Sequence, residues 1–303
     1  MIIVKIYGGL GNQLFQYAFV RAISLECNRE FGLDISWFDK QIGTTNMNLP
    51  DKKEYLLNNF KIIEIYSSPI VSLVIWLISK VTNKIKILNK ISKLFLLNKY
   101  WPLNISESEY KEYDNHEICR KKLLLLNGYW QNFRYFEKYE NIIRKEFTLR
   151  HKPTDENEEY LNKILSSNSV SLHFRRGDVL KPYALKIYYI CSMDYYLKSI
   201  SYMSEKVHNP IFFVFSNDIQ WVKSNLKISY PAVFIESQGP DYEHFFLMSQ
   251  CKHNIIANST FSWWGAWLNK NPDKIVIGPK KWFKDPIKNK VNKDLIPNSW
   301  IRI

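Results

Sequence analysis

The chain has 303 residues, 46% of them hydrophobic and 23% charged, a composition that excludes a disordered or fibrous protein. At about 150 residues per domain, the length fits two domains. The formal charge of +13 implies an anionic partner, and nucleic acid, a membrane surface or a nucleotide phosphate would each satisfy it.

The chain starts with a β-rich run, Ile2–Tyr7, a glycine turn, Gly8-Gly9-Leu10-Gly11, and a helical pattern from Asn12 to Cys27. Within it Leu14, Tyr17, Ala18 and Ala22 recur at helical spacing, predicting one inward face. The amino terminus reads as a buried strand, because its apolar run is too short for a signal peptide. The most apolar stretch, Ile70–Ile78, is too short to cross a hydrocarbon core of roughly 30 Å. Thr148–Glu159 is polar, contains Pro153 and has no apolar period, so it is the expected linker between lobes 1–150 and 151–303. Three further strands, Val170–Phe174, Ile211–Phe215 and Asn254–Ala257, each lead through polar residues into a helical stretch. Alternating strands and helices predict an α/β fold with parallel sheets. Cys27, Cys119, Cys191 and Cys251 form no CxxC pair and no zinc-spaced cluster, so neither a disulfide framework nor a structural metal is expected. Together these features predict a soluble, reduced, cytoplasmic protein.

His173-Phe174-Arg175-Arg176-Gly177-Asp178 follows a strand directly, at the end where open parallel sheets hold their ligands. The guanidinium fork matches phosphate oxygens and can stabilise charge growing on a leaving diphosphate. Alternation sets His173 and Arg175 on one side and Arg176 on the other, so one arginine is expected to bind ligand while Asp178 anchors the other. A structural ion pair at a turn is the competing reading. Asn258, Ser259 and Thr260 follow another strand and either cradle a phosphate or cap the helix that starts there. Trp263 and Trp264, just beyond, fit a core better than a sugar platform. Asp218, at the end of Ile211–Phe215, either accepts from a nucleobase or ribose or caps its own helix. The glycine turn lacks the third glycine of a dinucleotide fingerprint and the lysine of a P-loop. No Asp-x-Asp pair is present, so no metal is expected.

Four segments in series, GGLGNQLFQYAFVRAI at 8–23, HFRRGD at 173–178, FSNDIQW at 215–221 and LMSQCKHNIIANSTFSWWGAWLN at 247–269, resemble the bacterial alpha-1,2-fucosyltransferases of glycosyltransferase family 11. The resemblance implies a GT-B-like fold of two Rossmann-like lobes whose parallel sheets face a cleft. It also implies inverting, metal-independent transfer of fucose from GDP-fucose to the 2-hydroxyl of a galactoside, with no cofactor. Arg175 would hold the β-phosphate, with His173 near the nucleotide and Arg176 also binding substrate. Asp218 would meet guanine, and Asn258, Ser259 and Thr260 the phosphates. Gly11, Asn12 and Gln13 would bind substrate from the acceptor-side lobe, 1–150, and the carboxyl-terminal tail would pack back on that lobe. Two departures stand out: Asn217 replaces an acid, and His244 replaces another as a weaker, pH-sensitive substitute that the neighbouring Glu243 is expected to compensate. Asp178 is the nearest candidate base, with a loose oxocarbenium-like path as the alternative. Another sugar nucleotide, or a basic nucleic-acid-binding role, remains as a different reading. Glu30–Gln131 carries no chemically legible motif, and acceptor contacts are expected in that half.

The charge has an address. Ile65–Ser106 carries +6 and Lys270–Asp294 carries +5, so the motifs hold little of the excess. Val81, Ile85, Leu88 and Phe95 alternate with the first lysine group, as on a basic helix lying on the anionic inner face of a membrane or on an ordinary solvated helix.

Overall fold

A computed structural model describes residues 1–39, 53–67, 103–107 and 115–303, except the side chains of residues 103, 104, 115–117 and 178. The first lysine group and the Ile70–Ile78 stretch lie outside the described residues. The chain divides into two units, Met1–Thr148 and Leu149–Ile303.

The first unit opens on β1 (Ile2–Lys5), whose β-branched residues are buried. It continues through α1 (Leu10–Cys27), β2 (Phe31–Asp34), α2 (Ser36–Asp39), β3 (Leu103–Ser106), α3 (Asn115–Arg120), β4 (Leu124–Asn127) and α4 (Glu140–Glu146). The strands form one parallel sheet in the order β2-β1-β4-β3. Its strand order reverses between β1 and β4. Gly8 turns the chain into α1 at φ +82°, and a Cβ there would meet the Asn12 amide at 2.9 Å, so the position favours glycine.

Two expectations change here. α1 buries most of its circumference rather than one face, including Gln13 and Gln16. Gln16 accepts from Tyr7 N at 3.0 Å and donates to Gly128 O at 3.2 Å, joining the turns that follow β1 and β4. Such paired amides allow polar residues on a buried face. The second change is a disulfide joining Cys27, the last residue of α1, to Cys119 in α3. The two lie 92 residues apart, a separation at which sequence spacing gives no signal.

The second unit contains α5 (Asp155–Leu165), β5 (Asn168–Phe174), α6 (Pro182–Leu185), α7 (Met193–Lys206), β6 (Pro210–Ser216), α8 (Ile219–Asn225), β7 (Ala232–Phe234), α9 (Asp241–Gln250), β8 (His253–Ile255), α10 (Thr260–Leu268), β9 (Val276–Gly278), α11 (Pro286–Val291) and β10 (Ile301–Arg302). The strands make a six-stranded parallel sheet ordered β10-β9-β8-β5-β6-β7. The order reverses between β5 and β8. Near the carboxyl terminus, Ile301–Arg302 form an edge strand of this second sheet. The expected linker is half helix, because Asp155, Glu156 and Glu158 sit in the first turn of α5, where acidic side chains favour the helix dipole.

Apolar side chains cover both sheet faces. Val170, Leu172, Phe174, Phe212 and Val214 pack with α7, while Phe213 and Phe215 pack with Leu247, Met248 and Ile164. Trp263 and Trp264 are fully buried, and Trp263 donates to Leu295 O at 2.6 Å. Part of the basic excess is structural. Lys274 Nζ donates to the carbonyls of Ala266, Trp267 and Asn269, satisfying the end of α10.

Buried His253 accepts the Ile275 N–H on Nδ1 at 3.0 Å, a bond that requires that nitrogen to be unprotonated. Burial first, then nearby Lys252, pushes its pKa down. As pH falls, the unfolded chain therefore protonates before the folded one and stability declines below the usual histidine range of about 6.5. Denaturant midpoints should fall between about pH 7.5 and about pH 5.5, with a smaller fall in His253→Asn, measured by tryptophan fluorescence.

Candidate active site

The carboxyl ends of β8, β5 and β6 lie side by side, and the sequence puts polar residues at all three. This edge includes the β5/β8 reversal, the place where open α/β sheets leave a crevice for ligands.

β5 delivers His173, Arg175 and Arg176. His173 is buried on the face opposite Leu172 and Phe174, with its ring 6.0 Å from that of Phe261 in α10. Arg175 leaves the strand toward β8, where Nη1 donates to Asn258 O at 2.7 Å and the guanidinium lies 5.3 Å from the Tyr188 ring centre. Arg176 turns the other way. Its Nε donates to Asp218 Oδ2 at 3.1 Å, and its guanidinium lies 3.4 Å from the Trp221 ring centre. Among the described side chains, Asp218 is therefore an anchor of Arg176. The partners lie 42 residues apart but on neighbouring strand ends. The backbone of Asp178 lies in the short 3₁₀ turn Gly177–Leu180, and its side chain is outside the described set.

Asp218 also accepts Trp221 N at 3.4 Å as the cap of α8. Both readings of this residue stay chemically compatible, since a carboxylate offers about four lone-pair positions. Asn217 Oδ1 accepts Arg176 N at 3.1 Å. A Cβ on Gly177 would fall 2.1 Å from the Asn217 amide nitrogen, so glycine permits this close approach.

Asn258 is buried, and its side-chain amide donates to the carbonyls of Tyr189 and Trp282. Its Oδ1 accepts from Cys191, whose thiol burial pushes up to about 11. Asn258 therefore ties loops together and offers its carbonyl to Arg175. Ser259 caps α10 by accepting Phe261 N at 3.3 Å, and Thr260 opens that helix.

The residues of the glycine turn belong to the first unit. Asn12 Oδ1 accepts from Gln131 at 2.9 Å. Gln13 is fully buried: its oxygen accepts Leu56 N, and its nitrogen donates to the carbonyls of Gly8 and Glu54. That side chain holds the turn. Gly11 is buried beside it.

Glu243, expected to compensate for His244, lies against the start of α5. Its Oε2 accepts Thr154 N, Thr154 Oγ1 and Asn157 Nδ2 at 2.9, 2.8 and 2.7 Å. His244 bonds Ser237 Oγ at 2.8 Å, and burial holds its pKa below the usual value. The aromatic partners Tyr188 and Trp221 were not singled out from sequence, although Trp221 falls in the FSNDIQW segment. Among the described residues no three His, Cys, Asp or Glu side chains converge as a metal site, and no helix is long and apolar enough to cross a membrane.

The family model described as Glycosyl transferase family 11 matches residues 1–303. An Escherichia coli protein named alpha-1,2-colitosyltransferase is 34% identical over 319 residues, spanning 100% of this chain and 99% of that protein. The human galactoside alpha-(1,2)-fucosyltransferase 1 is 28% identical over 166 residues, 51% of this chain and 46% of that protein. Among solved structures, a mutant of Arabidopsis thaliana FUT1 in complex with GDP is similar in fold, with a TM-score of 0.51 and 12% identity over 91% of this chain and 69% of that one.

Proposed function

We propose, since the chain belongs to glycosyl transferase family 11, that this glycosyltransferase moves L-fucose from GDP-fucose to the 2-hydroxyl of a terminal galactoside, with inversion and without a metal ion. The observation that carries this reading is the pair of guanidinium groups at the end of β5, at the reversal of the carboxyl-terminal sheet, with Arg175 bonded toward β8 and Arg176 toward β6. The name of the human relative supports fucose and the alpha-1,2 linkage, and the GDP in the Arabidopsis structure supports the nucleotide.

Inverting transfer needs charge stabilisation on the departing diphosphate while the acceptor hydroxyl attacks the opposite face of the sugar. In this reading Arg175 binds the β-phosphate and stabilises the leaving charge, with its direction set by Asn258 O. Arg176, braced by Asp218 and Trp221, supports the nucleotide side. Asp218 accepts from guanine. His173 lies near the nucleotide, and Ser259 and Thr260 offer the start of α10 to a phosphate. Asp178 takes the acceptor proton, and Asn12 and Gly11 contact substrate from the amino-terminal unit. Residues 149–303 thus form the donor unit and residues 1–148 the acceptor unit.

A colitosyl donor is the second reading, favoured by the relative that aligns over nearly the whole length of both proteins. A donor panel in EDTA, with linkage analysis of the product, separates the two. Alpha-1,2-fucosyl galactoside made only from GDP-fucose supports the first. Colitosyl product alone selects the second. Salt-dependent duplex binding without sugar turnover overturns both.

We also propose that the protein rests on an anionic membrane surface. α11 displays Ile287 and Val291, 73% and 56% exposed, among Lys284, Lys288 and Lys290. Apolar and basic side chains together suit an interface of anionic headgroups. Co-sedimentation with phosphatidylserine vesicles should be seen at low salt and weaken at high salt. Absence of binding at both salts refutes it.

A further inference from the structure

The amino-terminal sheet reverses its strand order between β1 and β4, and the residues leaving those two strands are aromatic. Tyr7 follows β1 and Tyr129 follows β4, with ring centres 5.0 Å apart. Trp37, in α2 just past β2, adds a third ring 6.3 Å from Tyr7. Tyr129 is 44% exposed, and Tyr7 and Trp37 are half-buried.

The turn that presents Tyr129 is firmly constructed. Trp130 is fully buried in the left-handed region at φ +56°, an unusual conformation for a bulky residue, and stacks on Phe19 at 4.0 Å. The Glu107 carboxylate, just past β3, accepts the backbone N–H groups of Tyr129, Trp130 and Gln131 at 3.1, 2.9 and 3.1 Å. Gly128 admits this contact, since a Cβ there would lie 2.8 Å from Glu107 Cβ. Gln131, two residues after Tyr129, donates to Asn12 at 2.9 Å. Burial, with Tyr129 and Glu107 nearby, pushes the Tyr7 phenol up, so it stays a hydroxyl donor.

A strained turn held by three bonds to one carboxylate, at a sheet reversal, fits a binding site better than a packing accident. Rings edged by hydroxyl groups suit a pyranose, whose C–H face carries partial positive charge toward the π cloud while its hydroxyls bond at the edge. We propose that Tyr7, Trp37 and Tyr129 form an acceptor subsite that stacks a neutral pyranose ring, with Glu107 as the positioning residue of its central turn. This rests on the glycosyl transfer proposed above and adds the residues that select the acceptor.

The test measures KM for lactose with GDP-fucose, GDP affinity by calorimetry, and lactose binding by saturation-transfer NMR. Tyr129→Leu, which keeps apolar bulk without a π face, should raise the lactose KM about tenfold and leave GDP affinity unchanged. Tyr129→Phe should stay near wild type, and Glu107→Gln should raise the lactose KM with little effect on GDP affinity. A wild-type lactose KM in Tyr129→Leu, or an equal rise in Tyr129→Phe, overturns the stacking subsite while leaving the transferase reading intact. If the wild-type enzyme transfers nothing to lactose, the NMR signal decides: lactose binding lost in Tyr129→Leu supports the subsite, and its absence in the wild type overturns it.

Discussion

Arg175→Ala should lower turnover by about 10²-fold or more, the scale for removing one major stabiliser of developing charge. The expectation follows from where this side chain goes. Arg175 bonds the backbone of Asn258 across the β5/β8 reversal, whereas Arg176 is committed to Asp218 and Trp221 on the opposite side. Losing Arg175 takes away charge at the crevice itself. Arg175→Lys should recover only part of the rate, because an ammonium lacks the planar fork that spans two phosphate oxygens. Circular dichroism must show a folded variant, and near-wild-type turnover in it would remove Arg175 from the mechanism. Asp178→Asn belongs beside it: an unchanged acidic limb in the pH–rate profile would exclude Asp178 as the base.

The largest stability effect is expected at Glu243. This carboxylate is 4% exposed and accepts three hydrogen bonds from Thr154 and Asn157. Its charge sits in the first turn of α9 and against the residue that precedes α5, so two helix amino termini stabilise it. Glu243→Ala strands buried donors and should cost about 3 kcal/mol. For a unit of this size that corresponds to about 6–12 °C in Tm. Glu243→Gln retains an acceptor oxygen and should lose about half as much. Calorimetry reads both, and an unchanged Tm in Glu243→Ala would show that the 154–157 segment is held by other contacts.

The strand ends were legible because three polar motifs each follow an apolar β-rich run, and parallel sheets collect such ends on one edge. What joins them was not. Asp218 is 42 residues from Arg176 in sequence, yet it holds that arginine because β5 and β6 are neighbours in the sheet. Asn258 and Gln13 have the residue types of ligand contacts, but their amides satisfy loop carbonyls and turn amides that local spacing does not reveal. The Cys27–Cys119 bridge likewise depends on α1 and α3 meeting in space. The aromatic cluster of the first unit escaped for a related reason: Tyr7, Trp37 and Tyr129 share no sequence motif, only the carboxyl end of one sheet.

In the proposed function, the edge carrying Arg175 binds the diphosphate of a guanine nucleotide. Calorimetric titration of GDP in EDTA, on the wild type and on Arg175→Ala, tests it most directly. GDP should bind the wild type and bind the variant at least about tenfold more weakly, since a charge-assisted pair is worth about 1.5–3 kcal/mol. Equal affinity in both proteins, or no GDP binding by the wild type, would contradict it.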